Sequence, residues 1–260
     1  VEWLYGLEWQ HVALLLVIAA AAGWVDAVVG GGGLVLVPAL MLGLPGMSPV
    51  TALGTNKVAS ICGTTSAAIT YARRTKIDWR TAGPAAGLAV VFSGLGALAA
   101  SHIPASYFRP VIMVLLLLVL AFVVARPSFG VVMTEPSRTW RRRAAAVLLA
   151  GTVIACYDGI LGPGTGTFLI ITFTALLGLD FVASSATAKI LNAGTNLGAL
   201  LVFAAGGHVL WKLGLAMAVC NIVGARFGAG TALKRGAGFV RGVLVVVVVA
   251  MVARLATQYF

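Results

Sequence analysis

The sequence predicts an all-α polytopic membrane protein made of two homologous helical repeats, with about eight to ten membrane segments in all. Three observations predict it. Of 260 residues, 60% are hydrophobic and 10% charged, whereas an ordinary globular domain holds about 25% charged residues. Apolar stretches long enough to span a bilayer recur along the whole length, and the mean hydropathy is +1.04. The chain also matches itself at a single shift of 132 residues, without a gap, from the first helical stretch to the last.

Taken in order, the apolar stretches of the first repeat, residues 1–125, are Val12 to Val29, Val50 to Tyr71, Ala82 to Ala100 and Val111 to Ala125. Those of the second repeat, residues 143–260, are Ala144 to Leu161, Val182 to Ala205, Leu213 to Leu233 and Val243 to Ala256. Between them residues 126–142 are polar, carry Pro127, Pro136 and several arginines, and read as a cytoplasmic linker. The first stretch has no basic run before it and no small-residue cleavage site after it, so it is expected to stay as a span and not to act as a signal peptide.

The net charge of +11 would suggest a nucleic-acid partner in a soluble chain. Here the bases cluster in short connections, as Arg73, Arg74, Lys76 and Arg80, then Arg138, Arg141, Arg142 and Arg143. That is the positive-inside pattern of a membrane protein, and no nucleic acid is expected. Cys62, Cys156 and Cys220 lie in apolar stretches without C-x-x-C spacing or His neighbours, which supports neither a disulfide nor a metal framework.

The internal match pairs residues that apolar segments do not share by chance. Asp26 falls on Asp158, Gly30 on Gly162, Thr55 on Thr187, Lys57 on Lys189, Trp79 on Trp211 and Arg109 on Arg241. As one helix, the 34 residues from 11 to 44 would be about 51 Å long against about 30 Å of hydrocarbon. The run Gly30 to Gly33 interrupts them, and Gly162, Pro163, Gly164 and Gly166 interrupt the second copy at the same place. If the piece after each break turns back or crosses, each half has five segments and the halves are inverted; if it continues, each has four and they are parallel. The inverted five-plus-five arrangement is favoured, because with the linker inside it also puts Lys234, Arg235 and Arg241 inside and leaves Glu2 and Glu8 outside.

Broken helices leave unpaired N–H groups at a positive helix end, a ready anion site. Gly31, Gly32 and Gly33, with Gly164, Thr165 and Gly166, are therefore candidate cradle residues. After each break comes a helix with a buried lysine. Lys57, Ser60 and Thr64 share one face, and Lys189, Asn192 and Asn196 hold the same positions in the second copy. A lysine at mid-membrane costs about 2.5–3.5 kcal/mol on insertion scales, so its presence in both copies needs a reason. One cation with several donors suits a tetrahedral oxyanion. The plain alternative is that each lysine snorkels or pairs with Asp26 or Asp158 as a structural bridge, Thr55 and Thr187 then being packing groups. Asp26 and Asp158, four residues before each break, could pair with the lysines, bind a coupling cation or take up a proton.

These residues also carry a resemblance. GWVDAVVGGGGLVLVPAL followed by ALGTNKVAS, and ACYDGILGPGTGTFLI followed by SATAKILNAGTNLGAL, resemble the sulfite exporter TauE/SafE family of bacterial membrane permeases over nearly the whole chain. The resemblance implies transport of small sulfur-containing anions such as sulfite, thiosulfate, sulfoacetate or related sulfonates across the bacterial cytoplasmic membrane, without ATP hydrolysis. Sulfur is implied by the resemblance alone. The first copy reads GTNK where the second reads ATAK, so Asn56 has no counterpart and is carried over as a candidate only.

A secondary carrier is therefore expected, with the lipid bilayer, a small anion and a coupling proton or cation as partners, and no cofactor. An anion channel, which needs a continuous wet path, and a scaffold without transport are the other classes. An enzyme is not expected: the chain has neither G-x-x-x-x-G-K-[ST] nor H-E-x-x-H.

Overall fold

A computed structural model describes residues 8–44, 46–100, 139–162 and 164–256, together with residues 102, 121 and 125. Among these there are helices and no strands: α1 (Trp9–Val29), α2 (Gly32–Gly43), α3 (Pro49–Ala72), α4 (Trp79–Ala100), α5 (Trp140–Ile160), α6 (Thr165–Leu177), α7 (Phe181–Ala205) and α8 (Trp211–Ala256). Most of the last stretch of the first repeat, Arg109 and most of the linker lie outside the described residues. Helix α5 already begins at Trp140, inside the segment read as linker, with Thr139 accepting from Arg142 N–H as its cap.

Helix boundaries follow local chemistry. Ser48 accepts from Thr51 N–H ahead of Pro49 at the first position of α3, and Asp180 accepts from Ala183 N–H to start α7. Gly30 ends α1 at φ 78° and Gly178 ends α6 at φ 68°, left-handed positions that glycine adopts without a Cβ clash. Helix α5 contains a π-helical turn at Leu149–Ile154. Helix α8 is two helices meeting at Gly236, whose φ of 76° and ψ of −172° lie outside helical space.

Five of these helices are long and apolar enough to cross a membrane: α1, α4, α5, α7 and the Trp211–Val247 part of α8. Helix α3 has the length, 24 residues, yet is less apolar. Its Thr55, Asn56, Lys57, Thr64 and Ser66 are buried instead by the helices around it. Helices α2 and α6, of 12 and 13 residues, rise only about 18–20 Å each, too short to cross the hydrocarbon alone.

Close approaches fix the helix directions. Gly214 lies against Val58 and Gly63 against Asn221, so α3 and α8 run parallel. Gly194 against Ala86 and Gly198 against Val90 make α4 and α7 parallel. Gly54 touches Phe203 while Thr64 meets Asn196, so α3 and α7 run antiparallel. Helix α2 doubles back along α1, Gly32 lying on Ala22 and Asp26 and Gly43 on Leu15. These directions bring Arg73 and Arg74, at the end of α3, to the same side as Lys234 and Arg235 on α8. At the start of α5, Arg143 lies 3.5 Å from Asp78. The basic residues thus form a rim on one side of the helix assembly.

Candidate functional site

The last carbonyls of a helix have no partner within it. At the end of α1 each is met by a group from elsewhere. Tyr71 Oη donates to Ala27 O at 3.0 Å, Ser185 Oγ to Val28 O at 3.3 Å, Thr167 Oγ1 to Val29 O at 2.8 Å and Gly166 N–H to Gly30 O at 3.2 Å. Three of the four donors belong to the second half of the chain. The two helix breaks therefore touch, and the Gly30 and Gly166 backbones are so close that a Cβ on either would overlap the other. The residues 132 positions away from Tyr71, Thr167 and Ser185 are Phe203, Val35 and Leu53, none of which has a hydroxyl, so this clamp is built on one break only.

Around the breaks lie two buried ion pairs. Lys57 Nζ on α3 donates to Asp158 Oδ2 on α5 at 2.5 Å, and Lys189 Nζ on α7 donates to Asp26 Oδ2 on α1 at 2.9 Å. Both lysines and Asp158 are almost fully enclosed, while Asp26 retains 14% side-chain exposure. Each lysine is thus held by the aspartate of the opposite half, and the second pair stands 132 residues from the first in both members. In a low-dielectric interior such pairing removes the large cost of an isolated charge. The Lys57 ammonium also lies against Gly162, close to the place a Cβ there would occupy.

The two pairs are apart from one another. Asn196 Nδ2 donates to Thr64 Oγ1 at 3.3 Å where α3 and α7 cross. Lys57 and Lys189 each precede that contact by seven residues on antiparallel helices, which places them about 10 Å of helix rise to either side of it. The single stripe read from each helix becomes, in three dimensions, a polar centre flanked by one ion pair toward the basic rim and one toward the opposite side.

The remaining candidates are distributed along α3 and α7 and at the breaks. Asn56, Asn192, Asn196 and Thr64 are buried. Ser60 Oγ donates to Asn56 Oδ1 at 3.3 Å, Thr64 Oγ1 donates to Ser60 O at 2.7 Å, and Thr195 Oγ1 reaches Asn192 Oδ1 at 3.2 Å. Thr187 Oγ1 donates to Ala183 O, and Thr55 Oγ1 accepts from Leu210 N–H ahead of α8. Gly31 and Gly164 cap α2 and α6, with Gly32 and Gly33 opening α2. Two expected cradle donors are engaged within the protein: Gly166 N–H by Gly30 O, and Thr165 Oγ1, which donates to Gly162 O at 2.8 Å. The reason is that carbonyls at helix ends lack donors: Gly166 supplies one to the neighbouring break, and Thr165 supplies one to Gly162 of its own. Sequence reasoning passed over Tyr71, Thr167 and Ser185, since hydroxyls scattered among apolar residues carry no spacing signal.

The comparisons with known proteins agree over this length. The family model described as sulfite exporter TauE/SafE matches residues 15–255. A probable membrane transporter protein ORF9 of Sinorhizobium sp is 35% identical over 249 residues, covering 96% of this chain and 94% of the relative. The probable membrane transporter protein YfcA of Escherichia coli is 35% identical over 245 residues, 94% of this chain and 89% of the relative. A probable membrane transporter protein of Haemophilus influenzae is 31% identical over 244 residues, 94% of each. No solved structure matches the chain. With a family model over nearly its whole length and relatives matched end to end, the chain belongs to the sulfite exporter TauE/SafE family of membrane transporters.

Proposed function

We propose that this transporter is a secondary carrier of small sulfur-containing anions, such as sulfite, thiosulfate or sulfoacetate and related sulfonates, in the bacterial cytoplasmic membrane. The observation that carries the reading is the crossed pairing of Lys57 with Asp158 and of Lys189 with Asp26. A lysine neutralised by a carboxylate needs no substrate. An incoming anion can take the place of the carboxylate on the ammonium, and the displaced aspartate then needs a proton or a coupling cation to remain in the low-dielectric interior. Each pair joins one half of the chain to the other, so exchanging its partner also loosens the contact between the halves.

Alternating access follows from having two such pairs on either side of the Thr64–Asn196 contact. While one pair is opened by substrate, the other keeps its side closed, and the roles reverse when the halves rock. The antiparallel course of α3 and α7 and the return of α2 along α1 support inverted halves of five segments each. Sulfur as the central element rests on the family's name; anion selectivity rests on the lysines.

The test is thermal stabilisation of the purified protein by sulfite, thiosulfate, sulfate, sulfoacetate, taurine and chloride at matched ionic strength. A ligand present at 100 times its Kd raises stability by about 2.7 kcal/mol. A selective shift with one sulfur oxyanion, lost in Lys57→Ala and in Lys189→Ala, is the expected result. Equal shifts in wild type and in both variants would remove the lysines from the site.

A further inference from the structure

Arg226 is a further charged residue at membrane depth, outside the two ion pairs and unused by the proposed transport. It lies on α8 fifteen residues after Trp211 and eight before Lys234, about 12 Å of helix rise short of the basic rim. Its side chain faces outward. The surface around it is the apolar one that lipid covers: Val219 is 64% exposed, Val223 49%, Phe227 70% and Ile69, on the neighbouring α3, 48%. An arginine there is costly unless its charge is matched.

One contact is fixed. Arg226 Nε donates to Ser66 Oγ of α3 at 3.2 Å, which uses one of the five guanidinium N–H donors and leaves those on the two terminal nitrogens for another partner. The fold itself does not need this pair. The residues 132 positions before Arg226 and after Ser66 are Gly94 and Gly198, and there the two helices simply pack, with Gly198 O 3.5 Å from the place a Gly94 Cβ would take. Nor does the chain supply the counter-charge among its described residues. Asp26 and Asp158 hold the lysines, Asp78 holds Arg143, Asp180 caps α7 and Glu8 lies by His11.

We infer that Arg226 and Ser66 form a binding site for the phosphate of an anionic phospholipid in the leaflet on the basic side. A guanidinium pairs with phosphate through two parallel N–H donors, and the fork that Ser66 orients is suited to that geometry. The site lies about 12 Å of helix rise below the rim, so it is the headgroup that is drawn in, toward a guanidinium that Ser66 holds in place. Arg73, Arg74, Lys234 and Arg235 on the same rim raise the local concentration of anionic lipid.

The experiment measures the melting temperature of the purified full chain in neutral detergent with added dioleoylphosphatidylglycerol, dioleoylphosphatidylcholine or inorganic phosphate, together with native mass spectrometry of retained lipid. Wild type is expected to favour phosphatidylglycerol over phosphatidylcholine, with no shift from inorganic phosphate. Arg226→Gln is expected to lower that preference about tenfold, the scale of one charged hydrogen-bonded contact. Ser66→Ala, which keeps the charge and frees the guanidinium, should lower it by less and provides the reading if Arg226→Gln does not fold. Unchanged preference in both variants overturns the site. So does a shift reproduced by inorganic phosphate, or loss of self-association in Arg226→Gln with lipid preference intact, which would assign the face to a second copy.

Discussion

Asn196 donates to Thr64 at 3.3 Å, and the two residues hold the same place in the two halves of the sequence, 132 positions apart. This contact is the polar centre between the two ion pairs, with Lys57 and Lys189 each about 10 Å of helix rise away from it.

Replacing Asn196 by Leu keeps the volume and removes the donor at that centre. The net loss of one buried hydrogen bond is about 1 kcal/mol in stability, and within a bilayer such bonds average about 0.6 kcal/mol. The variant is therefore expected to purify normally. Anion flux into liposomes should fall by at least tenfold if the amide handles substrate between the two lysines, and flux at the wild-type rate would make Asn196 a packing residue.

The ion pairs predict non-additivity. Lys57→Ala leaves Asp158 buried without a counter-charge, and breaking such a pair costs about 3–5 kcal/mol. Lys57→Ala with Asp158→Ala removes both charges and should recover most of the melting temperature. It should not recover transport, because the cation proposed to hold the anion is gone. A double variant as unstable as the single one would mean that the pair does not set the stability of this region.

Neutralising the aspartates tests their proposed coupling role apart from binding. With Asp26→Asn and Asp158→Asn together, each lysine keeps its charge and faces a neutral amide. Anion affinity should hold or rise, since no carboxylate competes for the ammonium. The dependence of flux on a pH or cation gradient should disappear. Measured in liposomes with imposed gradients, an unchanged dependence would remove both aspartates from coupling.

Much of this was legible because it is one-dimensional. Composition, the basic connections and the 132-residue match are properties of the string, and so are the breaks at Gly30 to Gly33 and Gly162 to Gly166. That Lys57 and Asp158 would meet, and not Lys57 and Asp26, depends on which helix of one half packs on which of the other. Helix periodicity places residues on a face and says nothing of the facing element. The same holds for the clamp on α1: Tyr71 and Ser185 are ordinary helix residues until the end of another helix is laid beside them. Arg226 was not singled out in the sequence, and its outward position could not be read there.

The clamp and the touching breaks give a last, stricter prediction about which glycines matter. Gly166 carries its N–H to Gly30 O, and a methyl group at either residue would overlap the other's backbone, with no flexible side chain to move aside. Gly166→Ala should therefore push the two breaks apart and release Thr167 from Val29 O as well, lowering the melting temperature by more than a single hydrogen bond would. Gly87 lies in the middle of α4 with nothing within 4 Å of the place a Cβ would take, so Gly87→Ala is expected to be neutral or to stabilise by about 0.5–1 kcal/mol through its helix preference. Tyr71→Phe falls between these: it keeps the ring and loses the bond to Ala27 O, about 1 kcal/mol. The order Gly166→Ala, Tyr71→Phe, Gly87→Ala, from most to least destabilised in a melting series, is what a rigid joint between the breaks requires. Tolerance of Gly166→Ala, with flux intact, would mean that the breaks separate readily and that no rigid joint holds them.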